Sequence, residues 1–166
     1  MIHLDEMLVL RRFSRRPPID FHGLLQALSI DYDVVDLPKG DSATFAYARG
    51  TYRIQVSLAD SAQRRSFAAA HALGHYLMHR DLIPDGCVHR DRLFGPGAGT
   101  ASPDPFSHGH QDQANRFSVD LLLPSLDLRL QYDASADNHL DLARQFGVSP
   151  AAMLIRLQAL GLCPSA

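Results

Sequence analysis

The chain has 166 residues, 46% hydrophobic and 20% charged, which excludes a disordered or fibrous polymer and fits one domain that buries its core without disulfides. A net charge of -2 excludes a nucleic-acid binder working by bulk positive charge. The two cysteines, Cys87 and Cys163, stand in no metal-type spacing, as expected of unpaired thiols in a reducing cytoplasm.

The first apolar stretch is too short, and too interrupted by Asp5 and Glu6, to read as a signal peptide, and no stretch approaches the length of a membrane span. Arg11, Arg12, Arg15 and Arg16 make residues 1–18 a basic N-terminal segment, expected as a solvated face that ends at Pro17-Pro18. Asp20 is expected to cap a helix that buries Phe21, Leu24, Leu25 and Leu28. Residues 32–37, 44–48 and 52–57 read as strands, the last two joined at Arg49-Gly50, where glycine suits a tight hairpin. Together they predict a small, three-stranded, mostly antiparallel sheet.

From Asp60 the apolar period becomes helical, through Phe67, Ala70, Leu73, Leu77 and Met78 to about Arg80. Residues 82–110 are rich in proline and glycine without periodicity, which predicts a long loop of lid type. A helix over 111–123 buries Ala114, Phe117, Leu121 and Leu122, carries Gln111, Asn115 and Ser118 on its polar stripe, and stops at Pro124. The tail predicts two helices, one with Leu140, Ala143 and Phe146 inward, then a turn at Gly147. The second starts at Ser149-Pro150 and turns Met153, Leu154, Leu157 and Leu160 inward. Three units follow: the basic segment 1–18, a domain over 19–132, and a helical subdomain over 133–166.

On the central helix, His71 and His75 lie four residues apart and therefore on one face, the separation at which two imidazoles grip one Zn²⁺. His79 continues the stripe. Zinc peptidases write this motif H-E-x-x-H, with the glutamate taking the proton of a metal-bound water; here it reads H-A-L-G-H. With its flanks, RRSFAAAHALGHYLMHRD, then QDQANRFSVDLLLP, then FGVSPAAMLIRLQALGL, the chain resembles the ImmA/IrrE family of metallo-endopeptidases. The resemblance implies an α+β, zincin-like domain with zinc on the central helix and a third ligand on the helix that follows.

Carried over by position, His71 and His75 are metal ligands, Ala72 stands where the general-base glutamate belongs, and Gln111 stands at the third-ligand glutamate. Alanine accepts no proton, which removes a contribution of about 10²–10⁴-fold. A neutral amide holds Zn²⁺ less well than a carboxylate. The expectation is a weakly metallated or metal-free pseudoenzyme, natural or engineered. His79, His108, His110 and Asp112 are the substitute donors in sequence reach of the site.

The resemblance also implies a protein partner, a Cro/CI-type helix-turn-helix repressor or an antitoxin, in a prophage, stress or toxin-antitoxin system. The chain would act on that partner as a peptidase scaffold or, alternatively, bind it without cutting. Tyr52, Arg53, Ile54, Gln55 and Val56 form the strand before the metal helix, expected as the sheet edge that pairs with an extended peptide. LARQFGVSPAAMLIRL itself resembles a helix-turn-helix, with Arg144 and Arg156 as phosphate contacts, but its second helix is poor in basic residues, which argues against direct DNA binding.

Overall fold

A computed structural model describes residues 2–94, the backbone of 99–100, and residues 105–136 and 138–163. Its spine is helix α3, Ala62–His79, which the Ser61 hydroxyl caps by accepting the Arg64 amide at 3.3 Å. The run Ala68, Ala69, Ala70 and Ala72 is fully buried, so this helix is thin where it meets its neighbours. Gly74 carries that economy furthest. A Cβ there would lie 3.1 Å from Ala114 Cα and 3.1 Å from the Phe117 ring, so helix α4, His108–Leu122, crosses α3 almost backbone to backbone.

That crossing sets Gln111 and Asn115 against His71. Gly74→Leu should wedge the two helices apart and cost about 1–3 kcal/mol, as overpacking of a tight core does. Urea denaturation checks it, and an unchanged midpoint would mean the crossing has slack.

The strands are β1 (Ile30–Val35), β2 (Ala43–Ala48), β3 (Thr51–Ser57), β4 (Cys87–Arg92) and β5 (Gly99–Thr100), in spatial order β1-β3-β2-β4-β5. Arg49 and Gly50 both adopt positive φ, the geometry of a tight β2–β3 hairpin. The expected three-stranded, mostly antiparallel sheet is corrected here: five strands are described, and β1 runs parallel to β3. β1 reaches β2 only by crossing past β3, so it shares the direction of β3.

The expected long loop over 82–110 is corrected as well. It holds a short 3₁₀ turn, Arg80–Leu82, then β4 and β5, and the start of α4; residues 95–98 and 101–104, the core of the expected lid, lie outside the described residues. β4 escapes the sequence reading because its period is inverted. His89 and Asp91 point inward while Val88, Arg90 and Arg92 point out, so a count of apolar residues sees no strand. The expectation that residues 52–56 form a sheet edge fails too, because β3 is flanked by β1 and β2 and its backbone is already paired on both sides.

Residues 1–18 hold helix α1, Leu4–Ser14, with Arg11, Arg12, Arg15 and Arg16 exposed. Its Glu6 accepts hydrogen bonds from the Arg80 guanidinium and, at 3.2 Å, from the Tyr76 hydroxyl, which clips α1 to the end of α3. Helix α2, Phe21–Ala27, is capped by Asp20.

After Pro124 a further helix forms, α5 (Ser125–Gln131), then α6 (His139–Phe146) and α7 (Pro150–Ala159). Gly147, at φ 69°, makes the turn between the last two. The inward face of α6 is Leu142, Ala143 and Phe146, whereas Leu140 is 47% exposed, a correction to the expected register. Arg156 on α7 donates to the Leu123 carbonyl at 3.1 Å and to Asp120 at 2.7 Å, so it is spent within the fold. Arg144 bridges to Asp141 at 2.6 Å.

Candidate metal centre

The buried face of α3 carries His71 and His75, both fully buried, and strand β4 presents His89 and Asp91 to them from above at 2% and 1% exposure. Burying four such groups is costly unless each finds a partner. The partners fix the tautomers. Asn115 Oδ1 accepts from His71 Nδ1 at 3.0 Å, which leaves the lone pair of His71 on Nε2. Gln113 Oε1 accepts from His79 Nε2 at 2.7 Å, so His79 Nδ1 is an acceptor and takes the proton of His75 Nδ1 at 3.1 Å. The lone pair of His75 is therefore also on Nε2.

Those two nitrogens face each other at 3.0 Å. Gln111 Oε1, a third acceptor, stands 2.9 Å from His71 Nε2 and 3.3 Å from His75 Nε2. Asp91 Oδ1, which accepts from His89 Nε2 at 2.7 Å, lies 3.4 Å from His71 Nε2. Lone pairs converging in this way repel unless a cation sits among them. A tetrahedral Zn²⁺ with bonds of about 2.0–2.1 Å spaces its donors by about 3.3 Å, close to the separations of His71 Nε2 from His75 Nε2, Gln111 Oε1 and Asp91 Oδ1. Asp91 Oδ2 adds a second sign, since it is buried with no hydrogen-bond partner. The residues present fit a divalent metal, and among the described residues the group of His and acidic side chains with that geometry is His71, His75 and Asp91.

The electrostatics agree. Burial pushes the His75 pKa down to about 3, opposed by Asp91 and reinforced by the neighbouring histidines, so this imidazole is neutral and ready to donate a lone pair. Burial works to raise the Asp91 pKa, but its contacts with His71 and His89 outweigh it and hold the carboxyl well below the usual range.

Of the residues singled out from the sequence, the fold brings together His71, His75 and Gln111, with His79 behind His75. Ala72 is fully buried and adds no polar atom. His108 and Asp112 are exposed on α4, and His110 is spent accepting from the Ser107 amide at 3.1 Å, so these three are corrected as substitute donors. Asp91 and His89 were missed. Their signal is an H-x-D pair two residues apart, hence on one strand face, and it lay in a stretch read as loop.

A cleft of about 1040 Å³ opens beside the donors, reaching Asp91 and Gln111 and lined further out by Arg64, Phe67, Phe94, Val119 and Ile155. Phe106, 4% exposed, closes over the metal face, with its ring stacked on His75 at 4.1 Å and edge-on to His89 at 4.6 Å.

A helix with paired histidines, packed under a mixed sheet and beside a second donor helix, defines the class as a metallopeptidase scaffold. The chain belongs to the family described as the IrrE N-terminal-like domain, peptidase family M78, whose model matches residues 27–158. Among curated proteins, none matches the chain. Among solved structures it is similar to a Mycobacterium tuberculosis transcriptional regulator, with TM-score 0.52 and 22% identity over 95% of this chain and 47% of that one. The likeness shows the shared fold, and the chain spans about half the length of that regulator. No described helix is long and apolar enough to cross a membrane.

Proposed function

We propose that the chain is a metal-holding regulatory module of IrrE type that binds a helix-turn-helix repressor, or an antitoxin of that kind, without hydrolysing it. The observation that carries this reading is the convergence of His71 Nε2, His75 Nε2 and Gln111 Oε1 beside Ala72, where a hydrolase needs a base. His71 and His75 hold zinc; Ala72 cannot take the proton of a bound water, and its missing carboxylate costs about 10²–10⁴-fold.

A polypeptide partner fits the cleft, which pairs an apolar wall at Phe67, Val119 and Ile155 with the cations Arg64 and Arg92. Among the described residues the outer edge of β4 is paired only at Asp91 and Arg92, so Cys87 to Arg90 take over the peptide-pairing role expected of β3. The spent Arg156 and the ion-paired Arg144 leave the α6–α7 pair little to offer a DNA backbone.

The test is incubation of the zinc-loaded chain with a fluorescently labelled helix-turn-helix repressor of Cro/CI type, followed by anisotropy and electrophoresis. The expected result is saturable binding that Ile155→Glu weakens, with the repressor intact after hours. Chelator-sensitive cleavage by the unmodified chain would overturn the reading, as would an absence of binding.

A further inference from the structure

We infer that the metal in this chain is a structural staple, with Asp91 supplying the carboxylate that position 111 lacks and the Gln111 amide oxygen filling the place a hydrolase leaves for water; this rests on the metal-holding reading above. Four arguments meet at the site. Asp91 is buried, and its Oδ2 has no hydrogen-bond partner, which a protein tolerates where a cation supplies the missing interaction. Its Oδ1, 3.4 Å from His71 Nε2, is oriented by His89 at 2.7 Å, the arrangement that holds a ligating carboxylate in place.

The third argument is the kind of donor. Two imidazoles and one carboxylate give the set that a zinc peptidase uses, so moving the carboxylate from helix to strand preserves that set. The fourth is closure. With Gln111 Oε1 at 2.9 and 3.3 Å from the two imidazole nitrogens, a fourth protein donor stands beside them, and Phe106 stacks on the ring of His75. Structural zinc sites are closed by four protein donors, whereas catalytic ones keep a position open. The loss of the base at Ala72 and the filling of the water position are then two aspects of one change of use.

Cobalt(II) makes the site visible, and the whole chain serves as the sample. Loaded with one equivalent of Co²⁺, the unmodified protein should show the intense visible bands of a four-coordinate site, unchanged on titration with azide or acetohydroxamate. Gln111→Ala should keep the metal and make the spectrum respond to azide. By competition with a chromophoric chelator, Asp91→Asn should bind Zn²⁺ about 100-fold more weakly and His89→Ala about 10-fold more weakly, with circular dichroism of the metal-free variants confirming that they fold.

A spectrum of the unmodified chain that shifts with azide would overturn the closed site. Zinc affinity equal in Asp91→Asn and the unmodified chain, while His71→Ala loses it, would overturn the role of Asp91 and leave the metal-holding reading standing. A chain that takes up no metal at all would overturn both.

Discussion

Zinc at a hundred times its dissociation constant should raise the melting temperature of the chain by about 5–10 °C. A ligand bound only by the native state at that excess adds about 2.7 kcal/mol, and a domain of this size gains about 2–4 °C per kcal/mol. His71→Ala should abolish the increment, because His71 Nε2 is the atom nearest to the other donors, 3.0 Å from His75 Nε2 and 2.9 Å from Gln111 Oε1. The comparison is made within each protein, with zinc and with chelator, so that the intrinsic cost of removing a buried imidazole cancels. An equal increment in the variant would place the metal elsewhere.

The metal-free chain should be acid-labile over an unusually high range. Folded His75 titrates at about 3 because burial disfavours its charged form, whereas the unfolded chain titrates it near 6.5. Between those values the unfolded state holds the extra proton, so stability is full above about 6.5 and is lost as pH falls toward 3. The slope is about 1.4 kcal/mol per pH unit and the total is roughly 5 kcal/mol. The His79 pKa is also lowered, first by burial, and adds in the same direction from the same upper limit. Urea denaturation in chelator at pH 7, 6 and 5 should show the midpoint falling at each step, and His75→Gln should flatten the decline. A midpoint constant from pH 7 to 5 would show that His75 is not held neutral by the fold.

The helices α2, α3, α4, α6 and α7 were legible in the sequence because their signals are local, whereas α1 and α5 were not. Asp20 caps where expected, and Ser149-Pro150 opens α7. His71 and His75 stand out by helical spacing alone. What failed was the sheet at its outer strands. β1 parallel to β3 is a consequence of connection, which no residue pattern encodes, and β4 hides because its inward residues are His89 and Asp91 rather than valine or isoleucine. Hydropathy periodicity assumes that the buried face is apolar, and a strand built to present donors violates that assumption. The same inversion hides Asp91, while His108, His110 and Asp112 are close to the site along the chain but do not face it in space.

The buried donors come from three stretches far apart along the chain: the middle of α3, the end of β4 and the first turns of α4. A cation held by all three closes two chain loops and acts as a reversible cross-link between the sheet and the helices. Its loss would act unequally across the molecule. The crossing at Gly74 is steric and persists without metal, but β4 would lose the tie that draws His89 and Asp91 inward and would fray toward solvent. A protease would meet that frayed strand first, so the lifetime of the protein in the cell would track the zinc supply.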